Sequence, residues 1–190
     1  MMLAAMAMLS CMKETMSCHP AMEEMVFSAT YSDSRTRTVL TDGVHIYWLP
    51  GDQISVCGAQ EPFDCTAQEP SAVTEFRGFA PDSLIYYAFY PYQAVLQWNG
   101  AEVTFAVPSV QTAVKGSFGD DLNASAAYVE AGSELMLRFR NLLGYVKFTV
   151  PEGLDEVVSV TVETLASEAL SGTATADCSA ESPVAVSAAE

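Results

Sequence analysis

The sequence is poor in basic residues, since eight lysines and arginines stand against 24 aspartates and glutamates, a formal net charge of −16. A surface of that sign repels phosphate groups, which argues against nucleic acid as a partner and against anionic lipid surfaces. The sequence also lacks an apolar run of the roughly 20 residues that a membrane-spanning helix needs. We therefore predict no nucleic-acid partner and no membrane-spanning helix.

Residues that carry catalysis or bind metals are equally scarce. The chain has two histidines, His19 and His45, and it has no Cys-x-x-Cys pair, no Gly-x-Ser-x-Gly turn and no glycine-rich phosphate loop. These are the patterns of structural zinc sites, serine hydrolases and nucleotide sites. We predict that the protein is not an enzyme and that it uses no metal and no cofactor.

What the sequence does have is a repeated alternation of apolar and polar residues. The alternation or a short apolar run is found at 26–32, 53–56, 84–92, 102–108, 134–141, 145–151 and 157–163. A period of two, interrupted by Gly, Pro and Asp turns, is typical of antiparallel strands. We predict an all-β fold, an antiparallel Greek-key β-sandwich with little helix.

The first ten residues are apolar or small, and Cys11 follows them directly. Such a segment is too short to span a bilayer and is typical of a signal-peptide core, and Ala-Met-Leu-Ser-Cys resembles a bacterial lipoprotein cleavage site. We expect a leader over 1–10, lipidation of Cys11, a tether over 11–24 and a domain over 25–190. A buried helix is the alternative for the first residues, because the usual basic start of a leader is missing.

Cys57 and Cys65 lie at the two ends of the turn-rich stretch Cys-Gly-Ala-Gln-Glu-Pro-Phe-Asp-Cys. A disulfide across this loop fits an exported protein and is geometrically feasible. Two buried free thiols are the alternative, and the spacing does not decide between them.

A Leu-Pro-Gly-Asp turn follows Trp48. Pro50 fixes its own φ, Gly51 tolerates a positive φ, and the Asp52 side chain can bond to the neighbouring backbone. No acid or base partner for Asp52 lies nearby in the sequence. We predict a structural junction between strands at this point and no catalytic carboxylate.

Aromatic residues crowd one predicted strand, Leu-Ile-Tyr-Tyr-Ala-Phe-Tyr-Pro-Tyr. Exposed rings can stack on the apolar faces of sugars, which makes candidate glycan contacts of Tyr86, Tyr87, Tyr90 and Tyr92. A central strand that is covered on both faces explains the same rings, and we prefer that interpretation.

Five blocks, taken in order, resemble the N-terminal domain of the fimbrillin-like surface lipoproteins of Bacteroides-type bacteria. They are RTVLTDGVHIYWLPGDQISVCG, YYAFYPY, VTFAVPSVQTAVKGSFGDD, LRFRNLLGYVKFTVP and VVSVTVETLASEALSGTATAD, and they cover about residues 26–178. The resemblance implies transthyretin-like β-sandwich domains in a structural or adhesive subunit of fimbriae. Because members of that family usually have two domains, we expect 25–190 to be a truncated N-terminal domain with the second domain missing.

The resemblance also implies assembly by strand exchange. A protease removes an N-terminal strand in that family, and a strand of a neighbouring subunit then fills the groove. In this chain the exchanged strand is expected at Met25–Tyr31, with three side chains in core-side pockets: Phe27, Ala29 and Tyr31.

Two arginines, Arg35 and Arg37, are the candidate cleavage sites, because they lie in a polar stretch after that strand that we expect to be exposed. An ordinary polar turn that is never cut is the alternative. The expected partners are other fimbrial subunits, the outer membrane through the lipid anchor, and host or bacterial surface ligands. The expected location is the cell surface, as an outer-membrane lipoprotein or in a fimbrium. The alternative function is that of a lipid-anchored glycan-binding module.

Overall fold

The computed structural model describes residues 20–31, 47–112, 114, 119, 122–132, 134–153, 157–165, 168–179 and 185–187. This part of the chain is nearly all β, and its one helical element is the short 3-10 turn Tyr92–Ala94. The predicted all-β class with little helix is therefore confirmed. The strands are β1 Met22–Tyr31, β2 Gln53–Val56, β3 Phe63–Cys65, β4 Val73–Pro81, β5 Ile85–Tyr90, β6 Val95–Asn99, β7 Glu102–Val107, β8 Ser125–Glu130, β9 Met136–Asn141, β10 Gly172–Asp177 and β11 Ala185–Ser187.

Seven of these strands close into a barrel in the order β1-β4-β3-β2-β5-β8-β9, and four form a separate sheet in the order β11-β10-β7-β6. The pairings between these strands are antiparallel except for one, since β1 and β9 run parallel. The described residues thus form a closed mixed barrel with a four-stranded sheet and not the two-sheet antiparallel sandwich that we expected. The cause is the β1–β9 pairing, which joins what would otherwise be two free edges.

The barrel interior is filled mainly by aromatic rings. Alternate residues of the barrel strands point inwards, and Trp48, which precedes β2, joins them. The core thus contains the following buried side chains: Phe27, Trp48, Ile54, Phe63, Phe76, Tyr86, Tyr90, Leu137 and Phe139. Trp48 is central among them, with ring centroids 4.9 Å from Phe76, 5.1 Å from Phe139 and 5.4 Å from Tyr90. Gly78 on β4 leaves room for this packing, because a Cβ atom there would lie only 2.7 Å from the ring of Phe63.

A second core lies between the outer face of the barrel and the four-stranded sheet. Phe89 on β5 packs against Phe105 on β7 with ring centroids 4.7 Å apart, and both are fully buried. The same core contains Val103, Ala126 and Cys178. Strand β5 is therefore covered on both faces, as we preferred from its run of rings, and it belongs to both cores.

Residues 144–153 and 157–165 belong to no strand, although their alternation predicts two. Val146, Phe148 and Val150 are 71%, 53% and 51% exposed. No backbone hydrogen bond joins 146–150 to the strands of the described chain. The strand prediction is wrong here because alternation supplies one apolar face, while a strand also needs a neighbour for its backbone groups.

Candidate functional site

The first described strand, β1, lies between β4 and β9, a position that we call the β1 slot. Residues 22–30 pair antiparallel with 73–81 of β4, and Ser28–Tyr31 run parallel to Met136–Phe139 of β9. The Ser28 amide adds a bond of 2.9 Å to the Leu135 carbonyl. The strand therefore has backbone partners on both sides.

Two side chains of β1 are buried completely in the slot. Phe27 and Ala29 have no exposed surface. The Phe27 ring lies 5.4 Å from that of Phe63 and 5.2 Å from that of Tyr86, in a tilted and an edge-on arrangement that aromatic pairs favour. The strand is thus held both by its backbone and by a ring inside the core.

Tyr31 fixes the end of β1. Its ring stacks on Trp48 at 4.8 Å, and its hydroxyl accepts a bond of 3.1 Å from the side-chain amide of the buried Asn123. The Tyr145 hydroxyl donates to the carbonyl oxygen of the same amide, and burial together with the neighbouring Tyr31 raises the pKa of Tyr145. Sequence reasoning missed Asn123 and Tyr145, because the network joins three segments that are far apart in the chain.

Several residues predicted to act in export and processing lie outside the described residues. These are Cys11 for lipidation and Arg35 and Arg37 for cleavage. In the sequence, both arginines follow the end of β1 at Tyr31 within a few residues. The leader over 1–10 and most of the tether over 11–24 are outside as well.

The Leu-Pro-Gly-Asp turn has the structural role that we predicted. Gly51 has a φ of 92°, and the Asp52 amide bonds to the Leu49 carbonyl at 3.1 Å. The carboxylate of Asp52 accepts one bond from the Leu49 amide at 2.8 Å and another from the Tyr90 hydroxyl at 3.1 Å. Through these hydrogen bonds, Asp52 connects the segment that precedes β2 with strand β5.

We expect the change Asp52→Ala to lower the free energy of unfolding by about 1–3 kcal/mol, because it removes the acceptor of two part-buried donors. Urea unfolding followed by tryptophan fluorescence measures the loss. The control is Asp64→Ala, which removes an exposed carboxylate bonded to Gln53 and should cost less than about 0.5 kcal/mol. Equal losses in both variants would contradict the role of Asp52.

Of the four candidate glycan contacts, two are buried and two are half-buried. Tyr86 and Tyr90 are only 3% and 6% exposed, because they point into the barrel, and they are thereby excluded as glycan contacts. Tyr87 and Tyr92 are half-buried. Tyr87 points outwards beside the exposed Tyr128 of β8, with ring centroids 6.5 Å apart.

The disulfide considered between Cys57 and Cys65 is not formed, and both thiols are free. Cys57 follows the end of β2, whereas the Cys65 amide bonds to the Asp52 carbonyl before the start of β2. The two cysteines therefore lie at opposite ends of the β2–β3 hairpin. The Cys57 thiol contacts the Gly100 carbonyl oxygen at 3.2 Å, and the Cys65 sulfur lies 3.5 Å from the Thr74 hydroxyl.

Within the described ranges, no three His, Cys, Asp or Glu side chains are grouped closely enough to hold a metal ion. In the same ranges, no helix is long and apolar enough to cross a membrane. Comparison with known proteins gives no matching family model, no matching curated protein and no matching solved structure.

Proposed function

We propose that the protein is a structural or adhesive subunit of cell-surface fimbriae, similar to the fimbrillin-like proteins, and that it assembles by exchange of β1. The main support for this proposal is the position of β1 in the barrel. It is the first described strand, it lies between two others with Phe27 and Ala29 fully buried, and Arg35 and Arg37 follow it in the sequence. Because β1 is bound to β4 and β9 only through non-covalent contacts, one cut after it would allow its release.

Release of β1 would leave the β1 slot open. The backbone groups of β4 and β9 that now pair with β1 would lose their partners, and the pockets of Phe27 and Ala29 would open to water. An unpaired strand edge next to apolar pockets is what an added strand recognises: the edge provides main-chain bonds and the pockets select alternate side chains.

Residues 146–150 of a neighbouring copy are the donor that we propose for the open slot. Their sequence, Val-Lys-Phe-Thr-Val, follows the same pattern as Met-Val-Phe-Ser-Ala at 25–29, with a central phenylalanine and a hydroxyl residue after it. Phe148 would enter the Phe27 pocket and Val150 the Ala29 pocket. Support for this role comes from the exposure of Phe148 and Val150, since exposed apolar patches often mark interaction sites.

The poorer fit of the donor in the β1 slot explains why strand exchange would need cleavage after β1. Val150 is larger than Ala29, and overpacking a well-filled site is typically unfavourable by about 1–3 kcal/mol. The resident β1, which is also tethered to the chain, would therefore outcompete the donor until cleavage releases it.

The cellular part of the proposal follows the resemblance. A leader over 1–10 and lipidation of Cys11 would direct the protein to the outer membrane. Nearly all-β structure with mostly antiparallel pairing supports the class of fold. The glycan-binding alternative is less well supported, because two of its four tyrosines are buried.

The test is assembly after cleavage by an arginine-specific protease, which leaves Lys147 in the donor segment intact. We expect the cut protein to form species of high mass in size-exclusion chromatography that resist boiling in detergent, while the uncut protein stays monomeric. The variant Phe148→Asp should abolish assembly after the cut, because it places a charge in an apolar pocket.

The matched control is Leu165→Asp, a fully exposed position outside 146–150, which should assemble like the wild type. A cut wild-type protein that stays monomeric would refute strand exchange. Assembly of cut Phe148→Asp at the wild-type level would reject 146–150 as the donor and leave the exchange of β1 in place.

A further inference from the structure

Two cysteines flank the turn between β6 and β7, where the barrel meets the four-stranded sheet. Cys57, just after β2 of the barrel, bonds through its thiol to the Gly100 carbonyl oxygen at 3.2 Å. Cys178, just after β10 of the sheet, bonds through its amide to the Ala101 carbonyl at 2.8 Å. The two residues therefore lie against consecutive residues of one turn.

Further contacts support the closeness of Cys57 and Cys178. The antiparallel register of β10 with β7 ends at Asp177 and Glu102, so that Cys178 is the next residue along and lies opposite Ala101, about 5 Å from it. Burial raises the pKa of the Cys178 thiol to about 12, and Cys57 adds to this rise, an effect that depends on the two groups lying near each other.

We propose that Cys57 and Cys178 form a disulfide when the protein reacts with a low-molecular-weight disulfide. This bond would join the barrel covalently to the four-stranded sheet. The Cys57 thiolate attacks a sulfur of the low-molecular-weight disulfide, a mixed disulfide forms and one small thiolate leaves. The Cys178 thiolate then attacks the Cys57 sulfur, and the second small thiolate leaves. Two protein thiols are oxidised to one S–S bond, one small disulfide is reduced to two thiols, and the two protons pass to the leaving thiolates.

The order of the two steps follows from exposure. Cys57 is half-buried and can meet a reagent from solution, whereas Cys178 has no exposed surface and needs only to reach the neighbouring Cys57 sulfur. Cys65 is excluded as the partner of Cys57, because it lies at the other end of the β2–β3 hairpin. Such a pair suits an oxidising compartment, where structural disulfides persist.

The test treats the full chain with oxidised glutathione under native conditions at mildly alkaline pH, since the raised pKa values keep both thiols protonated near neutrality. Free thiols are then blocked with iodoacetamide, and the protein is digested without reduction and mapped by mass spectrometry. We expect a peptide pair that links Cys57 to Cys178, with Cys65 alkylated. The midpoint of urea unfolding should rise on oxidation and return after reduction, because the bridge closes a long loop.

Two variants complete the test. Cys65→Ser should form the same linked pair, and Cys57→Ser should form none and show no rise in the unfolding midpoint on oxidation. A Cys57–Cys65 link would overturn the proposal. So would a product in which Cys57 carries glutathione while Cys178 stays reduced after prolonged incubation.

Discussion

The change Phe27→Asp should nearly abolish the stability of the uncut domain. Loss of a fully buried phenylalanine costs about 3–5 kcal/mol, and an unpaired carboxylate in the same apolar pocket adds a further penalty. Since domains are typically stable by about 5–15 kcal/mol, much of that margin would be lost. Urea unfolding followed by tryptophan fluorescence, together with binding of a dye that reports exposed apolar surface, measures the effect.

The control for Phe27→Asp is Val26→Asp, at the next position of the same strand. Val26 points to the opposite face and is only half-buried, so the new charge can reach water there. We expect a much smaller shift of the unfolding midpoint. If both variants were destabilised equally, β1 would not occupy the slot in the register that places Phe27 in the core.

The second large effect is expected at Trp48. Its ring contacts aromatic side chains of four strands: Tyr31, Phe76, Tyr90 and Phe139. The change Trp48→Ala should therefore lower the free energy of unfolding by about 3–5 kcal/mol. Circular dichroism in urea measures the loss without depending on the tryptophan signal.

The variant Trp48→Phe separates ring packing from hydrogen bonding. The indole N–H of Trp48 is buried and has no hydrogen-bond partner among the described residues, so its removal should carry little penalty of its own. We expect Trp48→Phe to lose clearly less stability than Trp48→Ala. Equal losses would show that Trp48 does not stabilise the barrel through its ring contacts.

Alternation predicted five of the eleven strands, β1, β2, β5, β7 and β9, because alternation with turns is a local signal. It could not predict barrel closure, which depends on the parallel pairing of Ser28–Tyr31 with Met136–Phe139, residues more than 100 positions apart. Alternation also failed at 145–151 and 157–163. A strand is defined by its partner as much as by its own residues, and the described chain pairs neither segment.

The sequence also predicted only part of the candidate site. The inward side of β1 could be recognised from Phe27 and Ala29, because a period of two fixes which residues share a face. Spacing was misleading for Cys57 and Cys65, since they lie at the ends of a loop in the sequence but at opposite ends of a hairpin in space. The nearness of Cys57 to Cys178 depends on packing between barrel and sheet, for which one sequence holds no local signal.

The tyrosines of β5 show the limit of alternation in a strand that is covered on both faces. Tyr86 and Tyr90 share one face with Ala88, and Tyr87 and Phe89 share the other. Both faces are rich in rings, so the pattern alone could not tell which tyrosines are buried in the barrel. That assignment required the pairing of β5 with β2 and β8.

The exchange of β1 is tested most directly by uptake of a peptide. The protein is cut with an arginine-specific protease and incubated with a labelled peptide of residues 22–31, and the bound label is measured after size-exclusion chromatography. We predict that the cut protein incorporates the peptide, that the uncut protein does not, and that the peptide with Phe27→Asp is not incorporated by either. A cut protein that keeps its melting temperature, retains its own β1 and takes up no peptide would contradict strand exchange.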